Sequence, residues 1–180
     1  MKTIPGLIAV ASLATATAFA AVRSQDPAMP QPTEHHKQIL AMVGEWEGTV
    51  TGFTDGAAGQ PSPAKESVAA VGGFWTSSRF ECDMMGMPFA GTGVTGYDTT
   101  KRRFVGTWVD SMSSFLHVME GQVDPKTKHL VMKWTGPDMT GAMVAHRMET
   151  AHTADAYTST MYVGEGEGTK VMVIDMKRKK

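Results

Sequence analysis

From Gly44 onward the chain alternates. In 74–82, Phe74, Thr76, Ser78, Phe80 and Cys82 fall on one face and Arg79, Glu81 and Asp83 on the other. Leu130, Met132 and Trp134 oppose Lys133, while Val144, His146 and Met148 oppose Arg147 and Glu149. Met172, Ile174, Met176 and Arg178 oppose Asp175 and Lys177. Near 115–119 the split is less clean, because Phe115, His117 and Met119 face Leu116, Val118 and Glu120. A period of two is the signature of half-buried strands. The pattern predicts strands near 46–54, 64–71, 74–83, 91–98, 103–110, 114–121, 129–135, 142–150, 156–163 and 169–178. Between them stand turn formers such as Gly72-Gly73, Asp124-Pro125 and Gly136-Pro137-Asp138.

Only one helical period appears. Thr33 reads as an N-cap, Ile39, Leu40, Met42 and Val43 form one apolar face, and Gly44 reads as the stop. His35 and His36 on this helix read as solvated. About ten short antiparallel strands and one N-terminal helix give an all-β domain, either an up-and-down barrel or a sandwich. Gly48, Gly93 and Gly106 inside strands suit the sharp coiling of a closed sheet.

The first residues differ in kind. Lys2, the apolar run Ile4–Ala18 and the small-residue motif Ala18-Phe19-Ala20 read as a signal peptide over 1–20. Residues 21–32 hold three prolines and read as a flexible leader, so the barrel domain is expected over 33–180. The protein is therefore expected to be exported, periplasmic or extracellular, with no membrane span. Its single cysteine excludes an internal disulfide. The formal charge of −1 gives no basic surface for nucleic acid. Oligomeric state is not legible.

Several patterns suggest chemistry. Gly91, Gly93 and Gly96 spell G-x-G-x-x-G, but a turn and a strand follow where a dinucleotide fold needs a long helix. Met84, Met85 and Met87 beside Cys82 are soft copper ligands. Eleven further methionines in the mature chain favour core filling instead. Asp110, Ser111 and His117 have the residue types of a hydrolytic triad without its G-x-S-x-G elbow. Cys82, His117 and His146 could converge as a metal or haem site, although an inward histidine is more commonly a hydrogen-bonded core residue. No metal and no cofactor are expected.

Gly44-Glu45-Trp46 has the G-x-W pattern of lipocalin-like barrels, and the chain from about Thr33 to Arg178 resembles the bacterial family called domain of unknown function 1579. The matching pieces are Gly44 to Gly48, Met85 to Phe89, Gly93 to Asp98, Gly106 to Met112, Gly121, Gly141 and Arg147. The resemblance implies a lipocalin-like (calycin-type) barrel and no assigned activity. In such barrels the tryptophan closes the floor and a basic residue of the last strand packs over it, which implies structural roles for Trp46 and Arg178. The expected function is a non-catalytic binder of a small, mostly apolar ligand, contacted by Trp108, Asp110, His117, Met132, His146 and Tyr157. The alternatives are an enzyme using Asp110, His117 or His146 as acid and base, and a filled barrel acting only through its surface.

Overall fold

A computed structural model describes residues 29–180 apart from Met85 and Met139. The expected signal segment, leader residues 21–28 and Met85 of the copper pattern lie outside the described residues. The described chain opens with helix α1 (Glu34–Leu40). The strands are β1 (Gly44–Thr54), β2 (Ala57–Ala58), β3 (Ser62–Val71), β4 (Trp75–Met84), β5 (Met87–Asp98) and β6 (Arg103–Asp110). They continue with β7 (Ser113–Val123), β8 (Leu130–Pro137), β9 (Met143–His152), β10 (Ala156–Val163) and β11 (Thr169–Arg178).

Consecutive strands pair antiparallel, and β11 pairs with β1 from Trp46↔Arg178 to Gly52↔Met172. Ten strands thus close into an up-and-down barrel, with the two-residue β2 appended to the end of β1. Closure pairs β1 with β11, the two strands that would otherwise be long open edges. Gly48 is required at the closing seam, because a Cβ there would collide with the backbone carbonyl of Asp175.

The β5 strand begins earlier than alternation suggests, at Met87 rather than Gly91. Pro88 pairs with Asp83 of β4, but the β5–β6 ladder starts only at Gly91. Proline can occupy the unpaired side of such a strand because no partner asks for its missing N–H. The tight turn before it contains Gly86 at φ +80°, whose N–H donates to Asp83 at 2.7 Å.

Helix α1 covers one end of the barrel and ends at Leu40, with Ala41 as its C-cap, before Gly44 starts β1. Here the sequence reading of His36 needs correction. His36 is buried (2 % exposed) and meets Phe74 edge-on at 5.1 Å, while His35 is exposed, as expected, with its ring 4.3 Å from that of Tyr97. His36 Nδ1 also accepts from the Thr33 N–H at 2.9 Å, fixing the first turn. The aromatic barrel end, not solvent, receives this face of the helix.

Trp46 and Arg178 meet at that end. The Arg178 guanidinium carbon stands 4.1 Å from the Trp46 ring centroid, and the indole N–H donates to Met42 O at 2.8 Å. Arg178 also donates to the carbonyls of Val43, Ala41 and Ala154 at 2.7–2.8 Å. One side chain therefore ties β11 to the helix exit and to the β9–β10 turn. A desolvated cation over an indole adds about 0.5–2 kcal/mol to those bonds. Among the described residues no helix is long and apolar enough to cross a membrane.

Candidate functional site

Inward-facing side chains differ along the barrel axis. Trp46, Val68, Phe104, Met119, Met132 and Met176 are buried, whereas Trp108, Phe115, His117 and Trp134 are half-buried. Inward side chains towards the end opposite the helix are thus less deeply buried than those beneath it.

Trp108 stands in this less buried half. A Cβ on Gly91 would strike its six-membered ring, and a Cβ on Gly93 would come within 2.9 Å of it. Outside the wall, Gly96 gives the same clearance to Trp75. The G-x-G-x-x-G letters are therefore seats for two indoles, on opposite faces of one strand. The Trp108 N–H donates to Asp110 Oδ2 at 3.2 Å, and Asp110 Oδ1 accepts from the Met112 N–H at 2.9 Å. Asp110 orients the indole and closes the β6–β7 turn.

The triad pattern dissolves in the same turn. Ser111 Oγ accepts from the Ala90 N–H at 3.1 Å, and the Ser111 N–H donates to Ala90 O at 2.8 Å. Ser111 thus continues the β5 ladder rather than facing His117. Cys82 pairs across to Ala64 and Phe89, and burial with the neighbouring Asp83 pushes its thiol above the ordinary value. It lines a hollow of about 330 Å³ at the mouth with Phe89 and Ser111. Among the described residues no three His, Cys, Asp or Glu side chains form a metal-ligand group.

A wall of rings follows on β7 to β9. Phe115 and His117 meet edge-on at 5.1 Å, His117 and Trp134 at 6.2 Å, and Trp134 stacks on His146 at 5.1 Å with 5° between planes. The β7–β8 ladder covers only Glu120–Val123 against Leu130–Lys133. Above it, the His117 ring occupies the space where Gly136 would carry a Cβ. His146 Nε2 lies 3.3 Å from Gly136 O, so that nitrogen is the one that carries hydrogen. Among the described residues, three buried nitrogens in this wall have no hydrogen-bond partner: His117 Nδ1, Trp134 Nε1 and His146 Nδ1. Leaving one buried polar atom unpaired costs about 1–3 kcal/mol. Burial holds the His117 pKa below its ordinary value, partly opposed by the Asp110 charge and reinforced by His146. Its ring is accordingly neutral near pH 7, able to donate or accept.

Of the six residues expected to line a pocket, the structure brings His117 and His146 to this wall. Trp108 pairs with His117 across β6–β7, and Asp110 holds Trp108. Met132 lies beneath, buried with Phe104 and Met119 and packed against Trp134. Tyr157 is elsewhere. On β10 it pairs with His152, six residues from Val163, the partner of His146. Its ring stands 5.1 Å from Trp46, and its hydroxyl donates to Glu66 at 2.5 Å. Alternation assigns Tyr157 the correct face but not its height along the strand.

Glu66 is the residue that sequence reading missed. It lies on the inward face of β3 between buried Ala64 and Val68. Burial raises its carboxyl pKa, against the lowering effect of hydrogen bonds from Tyr157 and Ser78. Burial, then the Glu66 charge, pushes the Tyr157 phenol well above its ordinary value. The signal was present, since Ala64, Glu66 and Val68 share one period-two face.

A family model described as "Protein of unknown function (DUF1579)" matches residues 31–179. The chain belongs to the DUF1579 family. No curated protein matches this DUF1579 chain significantly. Among solved structures, the crystal structure of Rv2717c from M. tuberculosis is similar at 12% identity, covering 83% of this chain and 100% of that chain, with a TM-score of 0.62. At that identity the likeness speaks for the barrel fold alone.

Proposed function

We propose that this DUF1579 barrel is a non-catalytic binder of a small, mostly apolar ligand, held in the less buried half of its interior and working outside the cytoplasm. The observation that carries the reading is the ring wall with three unpartnered buried nitrogens. Native interiors rarely leave such atoms unpaired, and a ligand polar group is one partner that would satisfy them. Trp134 can only donate. A neutral His146 ring with hydrogen on Nε2 accepts at Nδ1. A hydroxyl or similar group that both accepts and donates matches that pair. Trp108, Phe115 and Trp134 supply flat apolar surface for the rest of the molecule. Export is supported by the signal-peptide pattern over 1–20.

Titration with the neutral apolar fluorophore N-phenyl-1-naphthylamine tests the binding. A saturable one-to-one fluorescence increase is expected, weakened about tenfold by Trp134→Ala. A flat titration, together with native mass spectra of protein from its own host showing no retained small molecule, overturns the reading. Amino-terminal sequencing of the same material tests export, with Ala21 or Val22 expected first.

A further inference from the structure

The lumen has a second polar station, opposite the ring wall. Around the ten-strand ring, β3 and β8 are five steps apart in either direction, so Glu66 and Trp134 stand on facing walls. Strands about 4.8 Å apart and tilted near 40° give a ten-strand barrel roughly 20 Å across between backbones. An interior of that width is one that side chains fill or that holds one small molecule.

The surroundings of Glu66 are one-sided. Its cross-strand neighbours are Trp46 and Phe80, both buried and uncharged. Its hydrogen-bond partners are hydroxyls, Tyr157 reaching over from β10 and Ser78 from β4. No cation contributes to its environment among the described residues. The nearby Arg178 is directed to three backbone carbonyls and the Trp46 face. A carboxylate has about four lone-pair sites, so two hydroxyl donors leave acceptor capacity unused. A desolvated carboxylate without a cation is costly, and removing that cost needs a positive donor. Glu66 is nevertheless only partly buried, on the inward face of β3.

We propose that Glu66 is the anchor for a protonated amine, so that the ligand class of this barrel is a small aromatic or apolar amine whose cationic nitrogen meets the carboxylate while its body lies against Trp108 and the ring wall. The inference rests on the lumen-binding reading above. Tyr157 then acts as a stand-in donor in the free protein, occupying an oxygen that the ammonium shares in the complex.

The experiment compares 1-naphthylmethylamine with its neutral isostere 1-naphthylmethanol, by calorimetric titration at neutral pH. The wild type is expected to prefer the amine by about tenfold or more. Glu66→Gln should abolish the preference while leaving naphthylmethanol affinity within about threefold. Tyr157→Phe should keep or enlarge it. Circular dichroism and thermal melts of both variants confirm that each is folded. If naphthylmethanol binds and the amine binds no better, or if Glu66→Gln retains the preference, the carboxylate anchor is overturned and the lumen reading stands. If neither probe binds the wild type, the lumen reading fails and the amine class fails with it.

Discussion

At the helix end, the inward side chains of Trp46, Phe104 and Met176 are 2 % exposed or less, and polar groups there have partners. At the mouth, Cys82, Trp108, Phe115 and Trp134 stay half-buried, and three ring nitrogens are unsatisfied. The same alternating strands run through both halves, so local sequence pattern does not set the difference. The ends are distinguished by what crosses the axis. Helix α1 and Arg178 span the closed end. At the mouth, neighbouring strands are joined by turns, and the β7–β8 ladder stops short. Burial is deepest where the axis is bridged, and half-buried side chains remain where it is not.

The largest test of this contrast is Trp46→Ala. Removing a fully buried indole should cost about 3–5 kcal/mol in denaturant unfolding. Trp134→Ala at the mouth should cost less than half as much. Equal losses would mean that the mouth is as tightly packed as the floor. Next in size is Arg178→Met, which keeps the aliphatic packing but removes the cation–π contact and three charge-assisted bonds. It should cost about 2–3 kcal/mol, measured the same way. Gly91→Ala addresses the mouth from its backbone. It should displace the Trp108 indole, red-shift tryptophan emission and lower stability by about 1–2 kcal/mol.

The smallest expected effect has the opposite sign. The Glu66 carboxyl is raised on folding, chiefly by burial, so the native state holds its proton more tightly than the unfolded chain. Its stabilising contribution is complete below the ordinary carboxylate range and is lost as pH rises through the raised value. The groups facing it are the hydroxyls of Tyr157 and Ser78, with Trp46 and Phe80 uncharged. Glu66→Gln should therefore raise the melting temperature slightly at pH 7 and flatten this part of the pH profile. A variant that melts lower at pH 7 would show that Glu66 supports the floor rather than burdening it.

Much of the barrel was legible because closure demands a clean period of two, and the strands keep it. The β4, β6, β9, β10 and β11 ranges fall within two residues of the alternation reading. The ambiguous stretch 115–119 resolves for a tertiary reason. Leu116 and Val118 are apolar yet face outward, 54% and 59% exposed, while Phe115, His117 and Met119 turn in beside Trp108 and Met132. The family resemblance located Trp46 and Arg178, which no local pattern would have joined. Glu66 was hidden because Lys65-Glu66-Ser67 reads as polar on both faces, although its neighbours at two-residue spacing are core. Tyr157 was misplaced because alternation fixes a face but not a height. His36 was misread because a seven-residue helix looks solvated until the barrel end beneath it is known to be aromatic.

The seam between β1 and β11 has a kinetic meaning. Trp46 and Arg178 are neighbours in space and the two extremes of the barrel in sequence. A ring closed by such a pair cannot form from local steps alone, so its folding belongs with slow, high-contact-order β topologies, in milliseconds to seconds. Until that last ladder zips, β1 and β11 are both raw edges, each able to recruit a foreign strand. Arg178 would then act as a latch in time as well as in space: its carbonyl partners on the helix exit become available only once the rest of the ring has assembled, and its engagement ends the interval in which the chain is vulnerable.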